Sequence, residues 1–69
     1  MTTVLEMYEY RNSDNNCTIY VEKSIESGSR VAFWRVLYKY DNSHFCYPLS
    51  SLLQNKPSKK RIEQYCESV

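Results

Sequence analysis

Residues 31 to 40 read VAFWRVLYKY, ten positions without Gly, Pro, Asn or Asp and nearly all large. β-Branched and aromatic side chains at this density suit a pleated strand. Strand side chains alternate between faces, so Ala32, Trp34, Val36, Tyr38 and Tyr40 share one side and Val31, Phe33, Arg35, Leu37 and Lys39 the other. Both sides carry large apolar groups. A chain of 69 residues buries only about 60 % of its unfolded surface, enough for one helix laid on one sheet. One helix covers one face, and charge decides which. Lys and Arg are almost never fully buried unless paired, so the Trp34/Val36 side is predicted to be the core and the Arg35/Lys39 side to face away from it.

The flanking sequence supplies the other elements. Residues 4 to 10, VLEMYEY, are strand-prone, and RNSDNN at 11 to 16 is a turn cluster. CTIYVEKSI, residues 17 to 25, alternates with Cys17, Ile19, Val21 and Ile25 on one side and Thr18, Tyr20, Glu22 and Ser24 on the other. Gly28, the single glycine, can supply a positive φ for the next turn. Asp41, Asn42 and Ser43 predict a tight hairpin into HFCYPL. Leu49, Leu52 and Leu53 behind Pro48 have helical spacing, which predicts a helical turn over 49 to 54. Pro57 discourages helix at Lys56, and Ser58 then caps a helix from 59 to about 68 whose apolar stripe is Ile62, Tyr65, Cys66 and Val69. The expected fold is α+β: a small antiparallel β-meander of three to four strands, with one C-terminal helix packed on one face, in a single compact domain over 1 to 69.

A hydrophobic share of 42 % and a charged share of 25 % are ordinary for a globular domain. Seven tyrosines are not; tyrosine joins apolar area to a polar tip and suits half-exposed binding surfaces. The net charge of +1 selects no partner, but its distribution is bipolar, about −3 over residues 1 to 29 and +4 over 30 to 69. MTTVLEMYEYR lacks a basic start and a long apolar run, so no secretory leader is expected. No stretch approaches the roughly 20 apolar residues of a membrane span. The three cysteines lie 29 and 20 positions apart without a CxxC, which points to reduced thiols in a cytoplasmic protein.

Catalytic and metal chemistry find little support. His44, the one histidine, forms H-x-C with Cys46, but neighbours two apart on a strand sit about 6 to 7 Å apart, beyond a nucleophile–base hydrogen bond. Cys17, His44, Cys46 and Cys66 make a nominal Cys3His set without the close cysteine pairs that fix zinc geometry. A lone glycine cannot build a phosphate-cradling loop. The expectation is a protein that is no enzyme, with no metal and no cofactor.

Two clusters stand out as binding candidates. Phe33 and Leu37 alternate with Arg35 and Lys39, beside Tyr20 of the neighbouring strand, giving an apolar patch punctuated by cations. Lys56, Lys59, Lys60 and Arg61 form the basic run KPSKKR, with three cations in the helix's first turn, where the dipole disfavours each by about 0.3 to 1 kcal/mol. Helix stability does not account for that pattern, whereas an anion or an acidic partner does. The plainer alternatives are long cationic stems shielding their apolar neighbours, a homodimer covering the face, and a solvated basic turn.

Two functions follow. In the first, the chain is a small protein-binding module, a regulator or inhibitor that docks on a host protein or protein complex; domains of this size without a catalytic set include those that phages and mobile elements use to block host factors. In the second, Phe33, Arg35 and Lys39 meet DNA bases while Lys56, Lys59, Lys60 and Arg61 hold phosphates. Three strands followed by a helix is similar, in topology alone, to plant AP2-type and integrase arm-type DNA-binding domains, a resemblance that implies a sheet laid in the major groove. The near-neutral net charge favours the first function.

Overall fold

The computed structural model describes all 69 residues. Strands β1 (Thr2–Asn12), β2 (Cys17–Glu26), β3 (Phe33–Tyr40) and β4 (Tyr47–Pro48) form one antiparallel sheet in the order β1-β2-β3-β4, followed by helix α1 (Lys59–Glu67). This is the α+β meander expected from the alternation. The first two turns each have a residue suited to their backbone: Asn16 holds φ 50 between β1 and β2, and Gly28 holds φ 86 between β2 and β3. Asn and Gly are the residues that visit the left-handed region at least cost.

The face assignment from charge is the one adopted. Cys17, Ile19 and Val21 of β2, Trp34 and Val36 of β3, and Ile62 of α1 make the buried core, with Tyr10, Tyr38, Leu49, Leu53, Tyr65, Cys66 and Val69 packed around it. Strand β3 begins at Phe33, so Val31 and Ala32 precede it, and Val31 is 74 % exposed. Along β1 the register shifts between Val4 and Glu6, so Leu5 is the extra residue of a bulge.

Helix α1 starts as its cap predicts. Ser58 is extended, at φ −67 and ψ 161, and its Oγ accepts the Arg61 N–H at 3.2 Å. At the far end Ser68 donates its N–H back to the Tyr65 carbonyl at 3.2 Å. The side chains of Asn12 and Asn15 reach up from the β1–β2 end to the carbonyls of Cys66 and Val69, the first at 2.6 Å. The last turn of the helix is thereby tied to the sheet.

Two local expectations are corrected. Residues 49 to 54 form no helical turn but run extended along the free edge of β3. Leu49 donates to the Val36 carbonyl at 2.8 Å, Ser50 Oγ accepts the Val36 N–H at 3.2 Å, and Trp34 and Leu53 exchange two backbone bonds at 2.7 Å. A single helical turn fixes several dihedrals for one hydrogen bond, while the strand edge offers donors and acceptors that are costly to leave unmet. The second correction concerns the tight hairpin. Residues 41 to 46 form a longer connection and β4 is only Tyr47–Pro48, because Pro48 has no N–H with which to extend a ladder. His44 and Cys46 therefore lie in a loop and not on a strand face.

Candidate interaction surfaces

The register of β2 against β3 builds the first surface. Directly opposed pairs are Thr18–Lys39, Tyr20–Leu37, Glu22–Arg35 and Ser24–Phe33. Opposed residues project from the same side of a sheet, so Tyr20, Phe33, Arg35, Leu37 and Lys39 come together as one stripe. It lies on the side of the sheet away from Ile19, Val21, Val36 and α1. The chain has one sheet and one helix, so no second layer lies over this stripe. Each of the five residues is half-buried by its in-plane neighbours. Strand β1 widens the face, with Val4, Met7, Glu9 and Arg11 opposite Ser24, Glu22, Tyr20 and Thr18; Met7 is 51 % exposed.

The charges of this face are more balanced than its β3 residues suggest. Arg35 Nε donates to Glu22 Oε2 at 2.7 Å, and the Glu22 side chain is only 12 % exposed while that of Arg35 is 36 % exposed. Arg11 chelates Asp41 with two hydrogen bonds, the Nη2–Oδ2 one at 2.6 Å, and its Nη1 also meets Thr18 Oγ1 at 3.4 Å. That guanidinium holds the Asp41 carboxyl below the usual carboxylate range. Burial, followed by the charge of Glu9, pushes the Tyr20 phenol up, so Tyr20 presents a neutral hydroxyl. Glu22 is the member of this face that counting bases along β3 misses, and its parity with Tyr20 is the signal that places it there.

Ser24 is the other unexpected member. It stands on the same side, between Val4 and Phe33 in register, is fully buried, and its Oγ has no hydrogen-bond partner.

The basic run belongs to the opposite layer. Lys56 Nζ sits 3.9 Å from the centroid of the Tyr8 ring, and Tyr8 stacks on Trp34 with centroids 6.4 Å apart. Trp34 also receives Lys23 at 5.9 Å, and Lys23 reaches Glu6 at 3.6 Å. Tyr8 donates to Glu6 at 2.9 Å, and that bond with the Glu6 charge raises its pKa. Arg61 lies over Tyr65 at 5.4 Å. None of Lys56, Lys59, Lys60 and Arg61 forms an ion pair, and the first turn of α1 contains no acid. Tyr8 is opposite Val21, on the core side. The two candidate surfaces thus face away from each other across a molecule whose shortest extent is 17 Å.

Shallow clefts occur only at the turn end, lined by Asn15, Asn16, Tyr40, Asp41 and Asn42 and by Asn12, Asp14, Asn15, Cys66 and Glu67. No three His, Cys, Asp or Glu side chains come together as a metal-binding group, so the nominal Cys3His set is not assembled. No helix is long and apolar enough to cross a membrane. Comparison with family models, with curated proteins and with solved structures finds no match to this chain.

Proposed function

We propose that this chain is a non-enzymatic protein-binding module, a regulator or inhibitor of the kind phages and mobile elements encode, which acts in the cytoplasm by docking its open sheet face on a host protein or complex. The observation that carries the reading is the uncovered stripe of Tyr20, Phe33 and Leu37, with Met7 and Val4 beside it and the Glu22–Arg35 pair set within it. Tyr, Phe, Met and Arg are the residues enriched in interface cores. An arginine already held by a carboxylate loses little rotamer freedom when a partner covers it. Lys39 and Glu9 stand beside this patch as charges of opposite sign, which suits a polar rim.

The DNA-binding alternative draws less support from the same geometry. Glu22 places a carboxylate in the middle of the face that would meet the bases. The four cations that would hold phosphates lie on the other side of the sheet, where one groove cannot reach both sets.

The test is a comparative capture from extracts of the source organism. Phe33→Ala/Arg35→Glu should lose partners that the native chain retains, while Lys59→Glu/Lys60→Glu should keep them. Identical recovery by the native chain and the Phe33/Arg35 variant refutes the choice of surface. Gel-shift assays at 50 mM salt should show no complex with duplex or single strands. A complex that weakens about a hundredfold by 200 mM salt is the signature of four or more phosphate contacts and would favour the alternative.

A further inference from the structure

The three thiols occupy different environments: Cys17 is buried at the start of β2, Cys66 is partly buried in the last turn of α1, and Cys46 is exposed. Residues 49 positions apart in sequence are brought together at one corner of the core. Asn12 is the ladder partner of Cys17, and the Asn12 side-chain amide donates to the Cys66 carbonyl at 2.6 Å. Cys66 is thus anchored, through one short side chain, to the residue directly across from Cys17. It also packs on the buried cluster to which Cys17 belongs. The Cys66 thiol is pushed up first by burial and then by Cys17, with Glu63 and Glu67 adding to the shift.

We infer that Cys17 and Cys66 are a disulfide-forming pair, which a small-molecule disulfide such as glutathione disulfide converts into an intramolecular bond between β2 and α1. Cys66 is the entry point, because it is partly accessible while Cys17 is not. Its thiolate attacks one sulfur of glutathione disulfide, forming a mixed disulfide and expelling one glutathione thiolate. The Cys17 thiolate then attacks the Cys66 sulfur, forms the protein disulfide and expels the second glutathione. Two protein thiols lose two electrons and two protons, and one glutathione disulfide becomes two glutathione thiols. A disulfide requires Cα atoms within about 7 Å, so closing the bond draws the last turn of α1, already tied to the β1–β2 end through Asn12 and Asn15, onto the start of β2. The bond would staple the one helix that closes the core to the sheet beneath it.

This inference is independent of the open-face reading, since it concerns the opposite layer, and either can fail alone. The full-length chain is incubated under native conditions with glutathione disulfide and analysed by intact mass, alkylation and peptide mapping. The expected product is a monomer lighter by two hydrogens, with Cys17 linked to Cys66 and Cys46 the single alkylatable thiol. The Cys46→Ser chain should react in the same way, and the Cys66→Ser chain should carry only glutathione adducts. In urea the outcome should invert. Loop closure by a flexible chain favours the 20-residue Cys46–Cys66 span over the 49-residue Cys17–Cys66 span by roughly fourfold, so native selection of the longer loop would come from the fold. Persistent glutathione on Cys66 with Cys17 still free, links in the native proportions found in urea, or intermolecular dimers from Cys46→Ser would each overturn the inference.

Discussion

Ile62→Ala tests whether α1 is the lid that makes this sheet a domain. Ile62 is the one helix residue that is buried, at 4 % exposure, and it contacts a core drawn entirely from β2 and β3. Truncation removes three carbons, worth about 2.4 kcal/mol at about 0.8 kcal/mol each. A residual cavity beneath a helix tethered at both ends raises the loss to about 3 kcal/mol, within the range of about 2 to 5 seen for such changes. A 69-residue domain has roughly 3 to 10 kcal/mol of total stability, so the variant should be marginal. Urea unfolding followed by Trp34 fluorescence should show the midpoint falling by about 3 M, taking a slope of about 1 kcal/mol per M. Leu37→Ala on the open face serves as the counterpart, with a loss below about 1 kcal/mol because Leu37 is only partly buried and no helix packs over it. A loss under 1 kcal/mol for Ile62→Ala, or equal losses for the two variants, would refute the division of the sheet into a core face and an open face.

Three further outcomes follow from the same geometry. Ser24→Ala removes a buried hydroxyl that has no partner, so it should be neutral or stabilise the chain by about 1 kcal/mol in urea unfolding, the reverse of the usual cost of deleting a polar group. Lys60→Glu replaces a cation by an anion in the first turn of α1 and should raise stability by about 0.3 to 1 kcal/mol at low ionic strength, an effect that fades in 1 M salt. Asp41 has its folded-state pKa lowered by Arg11, so the pair contributes above the unfolded carboxylate pKa, about 3.9, and is lost as pH falls through the lower folded value. Asp41→Asn should therefore be slightly less stable than the native chain at pH 7 and equal to it near pH 2, with the gap small because both side chains are about half exposed.

The two edges of the sheet are treated differently. Residues 49 to 53 cover the β3 edge through Ser50 and the Trp34–Leu53 pair. Strand β1 pairs only with β2, and its outer edge is interrupted by the bulge at Val4/Glu6 and marked by Glu6, Glu9 and Arg11. Bulges and charges are the usual means by which an edge strand discourages unplanned pairing.

Much of this protein was legible in its sequence, because the deciding signals are local. Alternation in 17 to 25 and 31 to 40 gave two strands and their faces. The cations of β3 chose the open side, Gly28 marked a left-handed turn, and Ser58 with the Ile62/Tyr65/Cys66/Val69 stripe placed the helix. Each of these depends on residues within one or two turns of one another. What the tertiary structure decided depends on partners far apart in the chain. Leu49 to Leu53 have a spacing that suits helix or strand, and only the open edge of β3 selects the extended form. Glu22 and Arg35 become a pair because the β2–β3 register sets them opposite each other. Ser24 is buried by residues on both neighbouring strands. The exposed stripe and the basic run, which look like parts of one surface along the sequence, lie on opposite sides of the sheet because the helix carrying KKR must cross to the core face to bury Ile62. Pairing register and layer order arise from which distant groups meet, and periodicity within a segment does not encode them.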